Sequence, residues 1–493
     1  MPAAKRLVIV FVVDGLRPDA ITPDDTPTLF RLRSEGVHFT NGHAVFPTVT
    51  RVNAAAIATG TQPGTNGIVG NQMYVPAVDP GRAFDTGNYR NFLALDRVSG
   101  GRLVQTPTLG ERLRAAGLTL AGVSSGSSGS SFLLNPRAPG GTGVVINGYF
   151  DPGQTVAYPS EVSEAILARF GPAPAKGPGR HDAAVAWTER VLREHVLPEL
   201  RPDVVLNWLT EPDHTQHDAG VGSPAAREAL AHDDRVIAGV LAALADLGLG
   251  ASTDVLAISD HGFTTNTGGV DVARELAQAG FADAVLASSG QSVGLHVEGR
   301  DPVRIDAIAR FIQSRDWGGV LFTPGREPGD PCGVIDGTFS LELIHVANAE
   351  RGPDLLFTFP WTSDANAFGV SGTDLGCVSG GARLYASDHG SMSPWNVRST
   401  LLAWGPSFKT GVTTGTPAGN VDVTPTVLAL LGIAGGDGLD GRVLAEALQG
   451  GPDGERLTVD TRVHTVERGT YRASLRISTV DGRRYVDQSW REA

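Results

Sequence analysis

Apolar residues along the first half of the chain alternate between short continuous runs and longer segments with helical spacing. Continuous runs of this length predict buried strands, and there are five: Leu7 to Val13, Leu118 to Val123, Val144 to Tyr149, Val204 to Leu209 and Val255 to Ile258. The segments between them place apolar residues on one face of a helix. Such alternation is typical of a sheet with helices on both faces. We therefore expect an α/β fold with a mostly parallel central sheet.

The helical segments carry recognisable start and stop residues. In "QTPTLGERLRAAG", Thr106 is the expected cap, a proline occupies the first helical position and Gly117 ends the pattern. Two longer helices are predicted at about 181–200 and 224–247. They are long enough to cover the sheet.

The pattern changes after Phe263. The stretches "SVGLHVEG", "DPVRIDAIARFIQSR" and "GGVLFT" predict strand, helix and strand, which indicates a smaller α/β insertion. From Leu457 the chain alternates with period two, and the pair Asp481 and Gly482 predicts a hairpin turn. We thus predict three units: a core of residues 1–262 and 387–450, a cap-like insertion of 263–386, and a C-terminal antiparallel β appendage of 451–493.

Composition excludes two classes of partner. The 493 residues carry a net charge of −13, so the clustered positive charge that binds nucleic acid polymers is not expected. No window approaches the length of a membrane span, and we expect no membrane partner. An anionic substrate would have to meet a locally positive site, which a metal ion could supply.

Cysteine usage and the N-terminal run bear on the cellular compartment. Cys332 and Cys377 are the only cysteines; they fit a reducing compartment or could pair with each other. The run Leu7 to Val13 is too short for a signal peptide, lacks a small-residue cleavage site and ends in Asp14. We expect a cytoplasmic protein, and the sequence leaves its oligomeric state open.

Several predicted strands end in side chains that bind metals. In chain order the candidates are Asp14, Asp213, His217, Asp260, His261 and His389. An isolated Asp-His pair is more often a hydrogen-bonded loop pair, but open α/β sheets gather their functional groups at the carboxyl ends of the strands. Aspartate, histidine and a hydroxyl oxygen suit Zn²⁺ or Mn²⁺. Together these groups would hold two divalent metal ions.

The stretch "AVFPTVTRVNAAAIATG" raises a further question about Thr50, which lies where an extended segment becomes a helix. One interpretation is a helix cap, a common role for threonine. The other is a nucleophile, because the start of a helix favours a docked anion and a nearby metal ion lowers the pKa of an alcohol. Asn53, one turn further on, would then donate to an oxygen of the reacting group.

The succession of motifs VVDG, FPTVT followed by N, G-x-x-P-G-x-N-G-I-V-G-N, E-P-D-x-x-x-H, SDHG, DHG and WGPSF resembles the alkaline phosphatase superfamily, and in particular its nucleotide pyrophosphatase/phosphodiesterase branch. The resemblance spans about residues 7–435. It implies a two-metal phosphoester hydrolase that forms a covalent phospho-threonine on Thr50, with Asn53 helping to hold the transferred phosphoryl oxygen. The implied ligands are Asp14, Thr50, Asp260 and His261 for one ion, most simply Zn²⁺, and Asp213, His217 and His389 for the other.

Arg51 is where the sequence departs from that branch, in which an aromatic residue commonly follows the nucleophile and stacks on the base. An arginine there could bind a second phosphate oxygen or a carboxylate, or could form a surface ion pair. The stretch "PTVTRVN" also resembles the phosphonoacetate hydrolase branch, but the expected lysines are missing from "VSSGSSGSSFLL". We therefore expect a small phosphoester substrate, and a phosphonate as the alternative.

Two further alternatives remain at this stage. A non-catalytic metal-binding relative would be expected to have lost its nucleophile or a ligand, and none is missing. A phosphomutase shares the ligand types but ordinarily uses serine and needs a large lid domain, whereas this chain has Thr50 and a modest insertion.

Overall fold

The computed structural model describes residues 6–149, 155–175, 179–434 and 438–492. Its centre is a nine-stranded sheet whose strands, in order across the sheet, are Val412–Thr414, Val37–Phe39, Leu401–Trp404, Thr253–Ile258, Leu7–Val13, Val204–Leu209, Leu120–Ser124, Gly143–Asn147 and Ala157–Tyr158. The five strands from Thr253–Ile258 to Gly143–Asn147 are mutually parallel. They correspond to the five apolar runs of the sequence, so the predicted mostly parallel α/β sheet is confirmed.

Helices cover this sheet and connect its strands. Their bounds are Pro27–Glu35, Thr50–Thr59, Pro63–Asn66, Tyr89–Val98, Leu109–Ala115, Ser128–Leu134, Ser160–Phe170, Asp182–Val191, Asp213–Ala219, Pro224–Asp246, Val272–Gln278, Pro302–Gln313, Pro394–Val397 and Val423–Leu430. The helix Asp182–Val191 continues as a π-helical segment, Leu192–Leu200. Both long helices that the sequence predicted are therefore present. In the part of the chain described here, no helix has the length and apolar character needed to cross a bilayer.

One helix begins later than its sequence pattern predicted. Thr108, not Thr106, is the cap of the helix Leu109–Ala115. The Thr108 hydroxyl accepts from the backbone N–H of Glu111 at 3.3 Å, and the Glu111 carboxylate accepts from the backbone N–H of Thr108 at 2.8 Å. This reciprocal arrangement satisfies two amides that would otherwise lack partners, which stabilises the later start.

Two further sheets are formed after Phe263. A four-stranded sheet contains Thr362–Ala365, Ser371–Cys377, Thr264–Val270 and Ser387–Asp388, in that order. A five-stranded sheet contains Val285–Ser289, Ser292–His296, Leu355–Thr358, Leu321–Thr323 and Phe339–Ser340, in that order. The strand, helix and strand predicted within the insertion are confirmed as Ser292–His296, Pro302–Gln313 and Leu321–Thr323. Two short strand pairs lie near the core: Gly42–His43 pairs in parallel with Ala418–Gly419, and Gln72–Met73 pairs antiparallel with Phe84–Asp85.

The C-terminal segment forms the predicted antiparallel sheet, with strands Val459–Arg468, Tyr471–Val480 and Arg483–Arg491. Asp481 and Gly482 both have positive φ, 48° and 72°, as a tight hairpin turn requires. The Tyr485 hydroxyl donates to Asp422 of the core at 2.8 Å, and the Tyr471 hydroxyl donates to the carbonyl of Gly319 in the inserted segment at 2.9 Å. The sheet is thus anchored to both; the boundaries of the three units stay a prediction.

Candidate active site

The candidate site lies where three neighbouring parallel strands end. The strand Leu7–Val13 pairs with Val204–Leu209 on one side and with Thr253–Ile258 on the other. Parallel strands present their carboxyl ends at one edge of a sheet, so the residues that follow them come together there. His389 reaches the same place from the four-stranded sheet, whose short edge strand Ser387–Asp388 pairs with Thr264–Val270.

Asp14, Asp260 and His261 form a first group of donors, all of them buried. His261 Nε2 lies 3.1 Å from Asp260 Oδ2 and 3.5 Å from Asp14 Oδ1. Thr50 Oγ1 lies 3.5 Å from the same nitrogen. The structure therefore places the predicted nucleophile directly beside this group.

Asp213, His217 and His389 form a second group. Asp213 Oδ1 lies 3.4 Å from His389 Nε2 and 3.5 Å from His217 Nε2. It also lies 3.9 Å from His261 Nε2, which belongs to the first group. All seven residues that the sequence analysis singled out as metal ligands are therefore within one site.

The three histidines are held in the same way. Nδ1 of His261 is 3.0 Å from the carbonyl of Gly262, Nδ1 of His217 is 3.1 Å from that of Ser387, and Nδ1 of His389 is 2.9 Å from that of Thr48. A carbonyl can only accept, so each Nδ1 carries the proton. Each Nε2 then presents a lone pair to the site, as it does in histidines that bind metals.

The carboxylates of Asp14 and Asp260 each use only one oxygen in a hydrogen bond. Asp14 Oδ2 accepts from the Trp208 indole at 2.9 Å, and Asp260 Oδ1 accepts from the backbone N–H of Gly15 at 3.0 Å. The oxygens that face the site, Asp14 Oδ1, Asp213 Oδ1 and Asp260 Oδ2, are buried and have no hydrogen-bond partner among the described residues. Here buried carboxylate oxygens and imidazole nitrogens face one another with their lone pairs. This arrangement is unfavourable unless a cation lies between them, because buried acceptors and charges need a partner. The residues present thus fit divalent metal ions.

Electrostatics support the same conclusion. Burial raises the pKa of Asp14 well above its ordinary value, and the Asp213 and Asp260 carboxylates raise it further. Burial lowers the pKa of His389 well below its ordinary value, and the nearby His261 and His217 add to that effect. A buried site that contains several carboxylates and a neutral histidine is stabilised by added positive charge.

Thr50 is the first residue of the helix Thr50–Thr59, and the cap position belongs to Val49. The Thr50 hydroxyl is therefore not used as a helix cap, and its hydrogen-bond contact is the one with His261 Nε2. The helix-cap interpretation of Thr50 is therefore wrong, and its role as a nucleophile stays a prediction.

Asn53 was predicted to donate to an oxygen of the reacting group, but its side chain is used elsewhere. Its side chain is fully buried, and its amide donates to the carbonyls of Val45 and Val49 at 3.0 and 3.1 Å. Its Oδ1 accepts from the backbone N–H of Val45 at 2.7 Å and from Asn420 Nδ2 at 3.0 Å. Both donor positions are used, so no donor is left for a substrate oxygen. The prediction that Asn53 holds the phosphoryl oxygen is corrected accordingly.

Asn71 is the amide that the sequence analysis missed. Its Oδ1 accepts from the backbone N–H of Arg51 at 3.3 Å, which places it next to the nucleophile, and its own N–H donates to Ser289 Oγ at 3.0 Å. None of its side-chain contacts in the described chain uses the amide NH₂ group, which stays available to a ligand. The indication in the sequence was its position at the end of the motif G-x-x-P-G-x-N-G-I-V-G-N.

Arg51 lies beside this amide, and its guanidinium pairs with Asp85, with Nη2 3.5 Å from Oδ1. The Arg51 side chain is 18% exposed and that of Asp85 is 60% exposed. The Arg51 Nε is buried without a hydrogen-bond partner among the described residues. The surface ion pair considered from the sequence is therefore present, but it leaves part of the guanidinium unused.

Solved structures share this fold. One is the structure of murine ectonucleotide pyrophosphatase/phosphodiesterase 5, solved as an inactive threonine-to-alanine variant in complex with AMP. Its TM-score to this chain is 0.59 at 16% sequence identity, and the superposition covers 87% of this chain and 96% of that chain. A second structure of the same murine protein gives the same score and identity, with 95% of that chain covered. At this level of identity the likeness shows that the chain shares the fold of these murine structures.

Sequence relatives narrow this to a family. The family described as Type I phosphodiesterase / nucleotide pyrophosphatase matches residues 8–313, more than half of the chain, and the protein belongs to it. A venom phosphodiesterase of Naja atra is 26% identical over 258 residues, which are 52% of this chain and 26% of that protein. Ectonucleotide pyrophosphatase/phosphodiesterase family member 1 of Mus musculus is 25% identical over 256 residues, 52% of this chain and 24% of that protein. The match thus spans about a quarter of the length of these curated relatives.

Proposed function

We propose that the protein is a metal-dependent phosphodiesterase that hydrolyses small phosphoesters through a covalent phospho-threonine on Thr50. The observation that carries this proposal is the position of the Thr50 hydroxyl, 3.5 Å from Nε2 of His261 in the first donor group. Membership of the phosphodiesterase family supports the reaction class.

The residues that would hold the metal ions are the two groups already described. Asp14, Asp260, His261 and the Thr50 hydroxyl would hold one ion, and Asp213, His217 and His389 the other. Divalent cations bound there would supply positive charge that favours the deprotonated threonine and neutralises the phosphoryl oxygens. The donor set of carboxylate and imidazole favours Zn²⁺, with Mn²⁺ as the alternative.

Thr50 and Asn71 would act directly on the substrate. The deprotonated Thr50 Oγ1 forms a bond to phosphorus while the bond from phosphorus to the leaving-group oxygen breaks, and the departing alkoxide takes up a proton. The Asn71 NH₂ group donates to a phosphoryl oxygen, and its Oδ1 is held in place by the backbone N–H of Arg51. Water then cleaves the phospho-threonine, which restores the Thr50 hydroxyl and releases the phosphate product.

The comparisons support two parts of this scheme. The murine relative was solved as an inactive threonine-to-alanine variant, which agrees with an essential threonine, and it was solved in complex with AMP, which agrees with a small phosphoester ligand. Both statements concern that protein, and we extend them here to Thr50 and to the substrate of this chain.

The test combines a substrate panel with detection of the intermediate. Wild type and Thr50→Ala would be assayed on bis(4-nitrophenyl) phosphate, 4-nitrophenyl phosphate, ATP and phosphonoacetate, with the metal content measured in parallel. We expect the diester and the nucleotide to be hydrolysed. Acid-quenched wild type should carry, on the peptide that contains Thr50, the phosphoryl group with the substituent that was not displaced, which is a 4-nitrophenyl phosphoryl group when the diester is the substrate. Turnover of phosphonoacetate alone would favour a phosphonate hydrolase, and a wild type that is inert on all four compounds would favour a non-catalytic relative.

A further inference from the structure

We infer that Arg51 selects substrates that carry a second negative charge at or next to the phosphoryl group under attack, and that Asp85 pairs with its guanidinium until such a substrate displaces it. The inference rests on the proposed function, because it concerns the substrate that Thr50 would attack. Four observations support it: the position of Arg51, its unused hydrogen-bonding capacity, the exposure of its partner, and the chemistry of a guanidinium.

The position of Arg51 ties it to the nucleophile. It follows Thr50 in the helix Thr50–Thr59, and its backbone N–H donates to Asn71, the amide proposed to hold a phosphoryl oxygen. A substrate bound at Thr50 would therefore lie within the field of the Arg51 side chain.

The half-buried Arg51 guanidinium has fewer hydrogen-bond partners than the guanidinium groups of the buried Arg17 and Arg442. Arg17 donates to Asp19 and to the carbonyls of Phe263 and Ser371. Arg442 donates to Glu446 through two nitrogens and to the carbonyl of Pro417. Arg51, by contrast, has one long contact with Asp85 and a buried Nε without a partner in the described chain. Such a group gains most from an additional acceptor.

A substrate acceptor can displace Asp85 from the Arg51 guanidinium. Its side chain is 60% exposed, and its Oδ1 already accepts from the backbone N–H of Gly87 at 2.8 Å. Ion pairs with an exposed partner contribute little free energy. An anionic group of a substrate can therefore compete with Asp85 for the Arg51 guanidinium, and the Asp85 carboxylate would disfavour that group when Arg51 is absent.

The preferred substrates share a second negative charge on phosphate oxygens. A guanidinium offers a planar, charged fork of N–H donors and lacks the apolar face that an aromatic residue presents to a base. The second charge can lie on the same phosphorus, as in a phosphate monoester, or on an adjacent phosphate, as in a nucleoside diphosphate. A diester with two aryl groups carries neither.

The experiment compares kcat/KM for bis(4-nitrophenyl) phosphate, 4-nitrophenyl phosphate and ADP in wild type and in Arg51→Gln, Arg51→Lys and Asp85→Asn. The matched control is Arg90→Gln, which removes a positive charge from an exposed position near Asp85 in the chain. For each variant the quantity of interest is the ratio of kcat/KM for an anionic substrate to that for the aryl diester. Thermal unfolding of each variant shows whether it is folded.

We expect Arg51→Gln to lower this ratio by about tenfold to a hundredfold, the range for loss of a hydrogen bond to a charged group. Arg51→Lys should recover part of it, Asp85→Asn should raise it by about twofold to fivefold, and Arg90→Gln should leave it unchanged. If the ratio falls for 4-nitrophenyl phosphate, Arg51 binds a second charge on the same phosphorus; if it falls for ADP, Arg51 binds a charge on the adjacent phosphate. Equal losses on all three substrates in a folded Arg51→Gln protein would overturn the inference and leave the proposed function standing. A wild type that hydrolyses none of them would overturn both.

Discussion

The imidazole rings of His261 and His389 stack with their centroids 3.6 Å apart and their planes 14° from parallel. His261 follows a strand of the central sheet, whereas His389 follows a strand of the four-stranded sheet. Both Nε2 atoms approach Asp213 Oδ1, at 3.9 and 3.4 Å. This contact joins the two donor groups into one site, because each group contributes one ring of the pair.

Thr50→Ala should abolish turnover and leave the fold intact. The Thr50 side chain is small, and its hydroxyl has a single contact at 3.5 Å, so its removal should change the free energy of unfolding by less than about 1 kcal/mol. Steady-state kinetics and thermal unfolding of the purified variant would test this. Residual activity above about a tenth of wild type would exclude Thr50 as the nucleophile.

Removal of metal ions should abolish activity and lower the melting temperature. Chelation would leave the buried oxygens of Asp14, Asp213 and Asp260 without a counter-charge, and a ligand that binds only the folded state stabilises it. Dialysis against a chelator, followed by titration with Zn²⁺ or Mn²⁺, should restore both properties. Full activity in a preparation shown to be metal-free by elemental analysis would refute the metal assignment.

Asn71→Ala and Asn53→Ala should have opposite signatures. Asn71→Ala should lower kcat/KM by about a hundredfold to a thousandfold with little effect on stability, since its NH₂ group is proposed to act on the substrate. Asn53→Ala should lower the free energy of unfolding by about 2 to 4 kcal/mol, because it leaves the buried backbone N–H and carbonyl of Val45 without their partners. The two variants serve as controls for each other. A stable, inactive Asn53→Ala protein would return the phosphoryl contact to Asn53.

Asp233→Asn should stabilise the protein at pH 8 and have little effect near pH 4. Burial raises the pKa of Asp233 from 3.8 to about 7, with the charge of Glu211 adding to it and the neighbouring His232 opposing it. At pH values between 3.8 and about 7, Asp233 keeps its proton in the folded state but has lost it in the unfolded state. The free energy of unfolding therefore falls as pH rises from about 4 to 7. The full effect is at most about 4 kcal/mol.

Chemical denaturation at several pH values would measure this difference. Asp246→Asn is a suitable control, because Asp246 is exposed on the same helix, Pro224–Asp246. A stability difference between Asp233→Asn and wild type that does not vary from pH 4 to pH 8 would show that Asp233 is ionised in the folded protein throughout this range.

Much of the fold could be predicted because its information is local. Each of the five runs is apolar at nearly every position, so both faces of the strand that it forms can be buried. Such runs form parallel strands covered by helices on both sides. The metal-binding candidates could be predicted for a related reason. Asp14, Asp213 and Asp260 follow three of these strands, and the carboxyl ends of parallel strands share one edge whatever the details of packing.

The helix start at Thr108 shows where local information is insufficient. Thr106 and Thr108 both precede a helical pattern, and the sequence favoured the threonine that a proline follows. The choice is made by the Glu111 side chain, which reaches back to the backbone N–H of Thr108. Two caps of similar free energy compete at such a boundary, and one hydrogen bond is enough to decide between them.

The two asparagines show what only the tertiary structure decided. Asn53 is one helical turn from Thr50, yet its amide is used by the segment around Val45 and by Asn420, which is remote in the chain. Asn71 lies further along the chain, but the folded loop brings it to the backbone of Arg51. The sequence by itself determined which residue types gather at the edge of the sheet, because strand order and burial follow from apolar patterning. Which amide faces the nucleophile depended on side-chain hydrogen bonds between segments distant in the chain, and hydrogen bonds of this kind form only once the tertiary structure brings those segments together.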